Sequence, residues 1–257
     1  LPPIALIDEK FEKNFVLYQP KDIVAGDFYW MESTICKDSG NEVNFIAAAD
    51  CTGHGVPGAM VSVVCSNALN QAVLQYNLCN PGEILDKTTE LVVERFDRST
   101  EDVKDGMDIG MIALEKLSDT QSKIKFAGAH NNLWVVSDRA VDLSEATIYE
   151  HEGEAKKLFE VKANKQPIGK YDLVAPFKTT EVVLEKGDRV YLYSDGYADQ
   201  FGGENGKKFK TKNFKKLLLD SINQSLSQQK STLIDNFESW KGDYEQLDDV
   251  CIIGIEI

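Results

Sequence analysis

The sequence has no surplus of positive charge: 28 Lys+Arg stand against 42 Asp+Glu, a formal net charge of −14. A balance of that sign repels phosphate backbones and anionic lipid surfaces, which argues against nucleic acid and membrane as partners. No run reaches the ~18 apolar residues of a membrane span, and the first residues lack a signal-peptide pattern, so the chain reads as soluble and cytoplasmic. The five cysteines (Cys36, Cys51, Cys65, Cys79 and Cys251) include no C-x-x-C pair and form no Cys/His cluster at zinc spacing. They read as small core residues in a reducing compartment. No Gly/Ser/Pro-rich linker, internal repeat or low-complexity stretch divides the 257 residues, so a single domain over 1–257 is expected.

Motifs for nucleotide binding and nucleophilic catalysis are equally scarce. There is no Gly-x-Ser-x-Gly elbow. Gly203-Glu-Asn-Gly206-Lys-Lys has the wrong spacing for a Walker A loop, and no Ser or Thr follows its lysine. Gly53-His-Gly-Val-Pro-Gly58 matches the dinucleotide fingerprint in form. Asp50, however, would place negative charge beside a pyrophosphate, and the first acid downstream is Glu83, too far along to take the ribose. A Cys51–His54 dyad would need awkward geometry across a glycine turn.

What is present is a series of short β-type runs: Phe15–Tyr18, Asp27–Met31, Val43–Ala49, Ile109–Leu114, Lys123–Ala127, Leu133–Ser137 and Val190–Tyr193. A last run, Val250–Ile257, has apolar residues at all its odd positions and predicts a strand with one fully buried face. Helical spacing follows Pro57 (Ala59, Met60, Val63, Val64, Ala68, Ala72) and Asn80-Pro81 (Ile84, Leu85, Leu91, Val92, Phe96). A second amphipathic pair covers Phe214–Leu219 and Leu233–Trp240. Strands in runs and helices in pairs predict an α+β fold: two packed, mainly antiparallel sheets, a β-sandwich, flanked by helix pairs in α-β-β-α layers.

Acidic residues recur where predicted strands end. Asp50 closes Phe45-Ile-Ala-Ala-Ala, Asp195 follows Val190-Tyr-Leu-Tyr-Ser, and Asp248-Asp249 precede the final strand. Asp27 follows Ala25-Gly26 and heads Phe28-Tyr-Trp30, while Asp108 precedes the strand from Ile109. Carboxylates at strand ends beside glycine can project past a sheet edge and gather into a rigid site for hard cations. Two such groups ~4 Å apart repel by about 4 kcal/mol at an effective dielectric of ~20, so a cluster requires a cation. The plainer alternative for any one of them is a turn-former or helix cap, and Asp248-Asp249 could be a loop entering a strand. His54 reads as a structural turn histidine or a proton donor, and His130 as a turn between two strands.

Seven blocks occur in order: Val24-Ala-Gly-Asp-Phe-Tyr29, Ala49-Asp-Cys-Thr-Gly-His-Gly-Val-Pro-Gly-Ala59, Gly106-Met-Asp-Ile-Gly110, Phe126-Ala-Gly-Ala-His-Asn-Asn-Leu-Trp134, Lys165-Gln-Pro-Ile-Gly169, Ser194-Asp-Gly-Tyr197 and Gln246-Leu-Asp-Asp-Val250. Together they resemble the SpoIIE-like branch of the metal-dependent (PPM, type 2C) protein serine/threonine phosphatases, from about residue 15 to the C-terminus. The resemblance implies two Mn²⁺ or Mg²⁺ ions at one end of the sheets. It makes Asp50 the carboxylate shared by both ions, adds the Cys51 backbone carbonyl, and assigns Asp195 and Asp248 to one ion. Asp27 would hold the other through water. Asp108 takes an outer position, and Asp249 ranks below Asp248. The arginine that binds phosphate in eukaryotic relatives has no counterpart, Lys21 being the nearest cation before Asp27. The acidic segment Leu143–Glu160 fits no motif.

What this implies chemically is in-line attack of metal-activated water on a phosphate monoester, with no protein nucleophile and with His54 as a candidate proton donor. The implied substrate is phosphoserine or phosphothreonine on a regulatory protein, such as an anti-sigma antagonist in bacterial partner switching. Such domains end longer sensor proteins, so an upstream sensor module and linker are expected before Leu1-Pro2-Pro3, and a homodimer is compatible with the family. The alternatives are a non-catalytic binding module of the same fold and a small-molecule phosphatase.

Overall fold

The computed structural model describes residues 1–37, 39–96, 105–143, 145–151, 155–172 and 174–257. Its architecture is α+β, with two six-stranded antiparallel sheets packed face to face. Sheet I runs β1 (Asn14–Gln19), β14 (Val250–Glu256), β11 (Arg189–Tyr193), β6 (Leu133–Ser137), β8 (Lys157–Val161), β7 (Thr147–Tyr149). Sheet II runs β10 (Thr180–Glu185), β5 (Gln121–Ala129), β4 (Gly106–Lys116), β3 (Glu42–Cys51), β2 (Phe28–Ile35), with β9 (Ile168–Gly169) also paired to β4. Helices α2 (Gly55–Asn70) and α3 (Pro81–Phe96) cover sheet II, and α5 (Thr211–Asp220) and α6 (Leu226–Lys241) cover sheet I. Short elements complete the chain: α1 (Ile4–Lys10), α4 (Gly196–Asp199) and the hairpin β12 (Phe201–Gly202) with β13 (Lys207–Lys208).

Period-two alternation explains the layering. In β3, Phe45, Ala47, Ala49 and Cys51 face the helices, while Ile46 and Ala48 face sheet I. Small alanines on both faces let a helix and a second sheet approach the same strand closely. The inter-sheet layer closes with Ile112, Ile124, Leu192 and Ile253, each no more than 1% exposed and each stabilising by about 1.5–3 kcal/mol on burial. Local signals set the helix starts. The Asn80 side chain accepts from Gly82 N at 2.9 Å at the head of α3, and Ser225 with Gln228 forms a capping box on α6.

The structure departs from the sequence reading in identifiable places. β14 is buried on both faces: Cys251, Ile253 and Ile255 meet sheet II, while Val250 and Ile252 pack under α5 and α6. The apolar odd positions showed only the first of these. Edge strand β10, where only Val182 and Leu184 are buried, and the brief α1, β7 and β9 carry too few core residues to stand out. The acidic Leu143–Glu160 segment supplies β7 and most of β8, with residues 144 and 152–154 outside the described residues. Among the described residues no helix is long and apolar enough to cross a membrane.

Candidate metal centre

The same alternation that builds the core delivers the acids to one end of it. Asp50 continues the Ile46–Ala48 face of β3, and Asp108 continues the Ile112 face of β4. The two lie directly opposite each other in the β3–β4 register, so Asp108 is inside a strand and not ahead of one. Asp27 shares parity with Tyr29 and Met31 of β2, Ser194 with Leu192 of β11, and Asp249 with Cys251 of β14. Each inner face therefore ends in a polar group at the open end of the sandwich.

Backbone contacts fix those ends together. A Cβ on Gly26 would sit 2.3 Å from Gly53 O, and one on Gly58 2.2 Å from the same atom. The Gly-x-Gly-x-x-Gly string thus serves backbone packing, pressing the Asp27 loop against the turn after Asp50. Gly196 does the same beside Asp195, with its Cβ position 2.0 Å from Asp249 O. Asp249 spends both carboxylate oxygens as staples: Oδ1 accepts from Lys21 N at 2.8 Å, and Oδ2 from Gly26 N at 2.7 Å and Asp27 N at 3.3 Å. It is 2% exposed and holds the Asp27 loop in place.

Asp50, Asp108, Asp195 and Asp248 line one cavity of about 320 Å³, together with Cys51, His54 and Lys170. Asp27, 3% exposed, sits within the field of Asp50 but borders a neighbouring depression instead. Like charges outweigh the few cations near them. Burial first, then the Asp50 charge, pushes the Asp27 carboxyl up to about 10, against a Ser194 hydroxyl that favours the anion. Asp50 is raised to about 8 by burial and then by Asp195, Asp248 and Asp108. Asp108 reaches about 6 through burial, with His130 opposing, and Asp195 is raised by burial and then by Asp199 and Asp248. Asp27 Oδ2 is buried with no hydrogen-bond partner. A buried carboxylate oxygen without a donor fits a cation or a bound proton.

The donor set is oxygen: carboxylates, a backbone carbonyl and room for water. That chemistry fits Mg²⁺ or Mn²⁺ and not a soft metal. Among the described residues no group of three or more His, Cys, Asp or Glu side chains is placed so that it could hold a metal ion by itself. Asp27 with Asp50, and Asp50 with Asp195, lie within side-chain hydrogen-bonding reach as pairs. Hard cations with few protein ligands complete their shells with water.

His54 stands at the N-cap of α2, exposed on the cavity rim, with Nδ1 3.3 Å from Asp22 Oδ2. His130 is in the β5–β6 turn, at φ 56°. Sequence reasoning missed Ser194, Asp22 beside His54, and Lys170, which lines the cavity after β9. The parity of Ser194 with Leu192 was available as a signal; nothing local marks Lys170. The cysteines are all free, and four of the five are buried.

A family model described as Stage II sporulation protein E (SpoIIE) matches residues 41–257. No curated protein sequence matches the chain. Among solved structures, the SiaA-PP2C domain of Pseudomonas aeruginosa is similar at TM-score 0.79 and 27% identity, over 99% of this chain and 90% of that one. The PP2C phosphatase domain of SpoIIE from Bacillus subtilis, solved with a fragment of its regulatory domain, gives TM-score 0.63 and 14% identity, over 95% and 63%. RsbX, solved in complex with magnesium, gives TM-score 0.59 and 13% identity, over 95% and 94%.

Proposed function

The chain belongs to the SpoIIE family, and on that premise we propose that it is a metal-dependent protein phosphatase acting on phosphoserine or phosphothreonine of a regulatory protein in bacterial partner switching. Residues 1–257 act as one phosphatase domain, under the control of a sensor module in the full-length protein. When bound, two Mn²⁺ or Mg²⁺ ions acidify water to supply an attacking hydroxide near neutral pH and offset charge on the phosphoryl oxygens. Asp50 would be shared between the ions, the Cys51 carbonyl would add a ligand, and Asp195 and Asp248 would hold one ion. Asp27 would hold the other through water, and Asp108 would shape the outer shell.

Other residues of the chain orient and protonate. Asp249 fixes the backbone carrying Asp27 through three N–H groups. His54, exposed at the rim beside Asp22, would give a proton to the departing serine or threonine oxygen. Lys170, on the same cavity wall, would balance phosphate charge where the arginine of eukaryotic relatives is absent.

The observation that carries this reading is the Asp27 Oδ2 atom, buried without a donor among acids of which Asp27, Asp50, Asp108 and Asp195 have their carboxyls pushed upward. Purified protein is expected to hydrolyse an aryl phosphate with Mn²⁺ and to stop when a chelator is added. Hydrolysis that continues in chelator, or none with either metal, would overturn it.

A further inference from the structure

A second cavity, of about 550 Å³, opens on sheet I and is lined by residues that the phosphatase chemistry does not use. Its walls are His130, Asn131 and Asn132 from the β5–β6 turn, Tyr149 of β7, Glu160 of β8, Lys162 just after β8, and Tyr193, Thr211, Lys212 and Lys215. It adjoins the carboxylate cluster. The His130 charge acts on Asp108, and Tyr193 stands two residues before Asp195.

Its charge runs against the rest of the molecule. Three lysines and one glutamate line it, whereas the whole chain carries −14. Glu160, 3% exposed, is already fully engaged. It accepts from Lys215 Nζ at 2.9 Å, Trp134 Nε1 at 3.2 Å and Asn132 Nδ2 at 3.3 Å, and also from Lys162 Nζ. Lys215, 5% exposed, lies with Nζ 3.6 Å from the centroid of the Tyr149 ring. One lysine suffices to neutralise Glu160. The exposed Lys162 and Lys212 therefore leave the cavity with a net positive surplus. Asn131 Nδ2, in the same wall, is buried with no acceptor. A buried donor without an acceptor and a surplus of lysines over acids fit an anion rich in acceptor oxygens, a class that includes the carboxylates of an acidic peptide.

We infer that this cavity is a docking subsite for an acidic segment of the phosphoprotein substrate, lying beside the phosphorylated residue when that residue occupies the candidate metal centre. Only the identity of the ligand as a substrate rests on the proposed phosphatase activity; the preference for carboxylates rests on the cavity itself. A wholly acidic surface would repel such a partner, and a local cationic patch next to the reaction centre gives it both register and selectivity.

The test separates binding from catalysis. A fluorescein-labelled peptide with glutamates around a serine, and its counterpart with glutamines, would be titrated against metal-free protein by fluorescence anisotropy. Wild type is expected to bind the glutamate peptide about fivefold to tenfold more tightly, with the advantage shrinking as NaCl is raised. Lys212→Gln alone, which leaves every partner of Glu160 in place, should weaken that preference with the melting temperature unchanged, and the pair Lys162→Gln and Lys212→Gln should abolish it. With the phosphorylated peptides and Mn²⁺, the same variant should lose about tenfold in kcat/KM on the acidic substrate and nothing on an aryl phosphate. Equal affinity of wild type for both peptides, or an undiminished preference in the variant, would overturn the subsite. Tighter binding of ATP or of anionic vesicles than of the acidic peptide would overturn it too. Glutamate-selective binding without aryl phosphate hydrolysis would support the subsite and remove only the phosphatase reading.

Discussion

Buried acids occur in two places at the same end of this sandwich, and their surroundings are opposite. Glu160 meets two lysines and an indole N–H; burial raises its pKa, but these partners outweigh it and hold the carboxyl down at about 2. Asp27 and Asp50 meet other aspartates, and their carboxyls go up to about 10 and about 8. Burial acts in the same direction on all three. What differs is how much counter-charge the chain supplies, and at Asp27 and Asp50 like charges dominate. A carboxylate neutralised by the chain reads as architecture, and one left unneutralised reads as a place for a cation.

The sharpest way to break the comparison is to make the aspartate cluster behave like an ordinary buried polar site. Asp50→Asn keeps the shape and removes the charge that the cations would share. Mn²⁺-dependent hydrolysis of an aryl phosphate should fall about a hundredfold or more, and Asp195→Asn should act similarly. The same Asp50→Asn variant should melt higher than wild type in chelator, because it relieves repulsion, and should gain less from added Mn²⁺. Full turnover in either variant would end the metal assignment.

The Glu160 side predicts a smaller effect of opposite character. Lys215→Met leaves a buried carboxylate with one lysine fewer and should cost about 2–4 kcal/mol in urea unfolding. Adding Glu160→Gln should recover most of the loss, because neither partner then remains as a bare charge. Asp50→Asn and Lys215→Met therefore separate the two regions: one loses activity and keeps stability, the other does the reverse. A Lys215→Met protein as stable as wild type would show that Glu160 does not depend on this lysine.

Much of this contrast was visible along the chain, and the part that was not has a physical reason. Alternation in β3 and β14 places Asp50 and Asp249 on inner faces, and the sequence reading found Asp50 by its strand end and adjoining glycines and Asp249 by its place before the last strand. The packing role of Gly26, Gly58 and Gly196 could not be read locally, because each touches backbone from a distant or non-adjacent segment. The burial of Asp249 and its three backbone partners depend on the loop 21–27, more than 200 residues away. Glu160 was hidden in an acidic segment without a motif, and its partners Trp134 and Lys215 come from β6 and α5. Short-range pattern names the residues that end strands; only the fold says which of them gather together and which already meet a lysine.

The mildest prediction uses pH to tell the two regions apart without mutation. In metal-free protein the carboxyls of Asp27, Asp50 and Asp108 have folded pKa values above the unfolded 3.8, at about 10, about 8 and about 6. Between the two values the folded state binds more protons than the unfolded state, so the contribution of these aspartates to stability is full below about pH 4 and declines as pH rises towards 8 and beyond. Glu160 behaves conversely: its carboxyl is lowered, so its contribution is present above about pH 4.5 and fades only as pH falls towards 2. Over pH 5 to 8 the Glu160 network is therefore constant, and the aspartates alone set the trend. The melting temperature in chelator should drop by several degrees across that interval, and Mn²⁺ should restore more of it at pH 8 than at pH 5, because the cation replaces protons that must leave. A melting temperature independent of pH in chelator, with the same Mn²⁺ increment at both values, would mean that the aspartates are not coupled through one unfilled site.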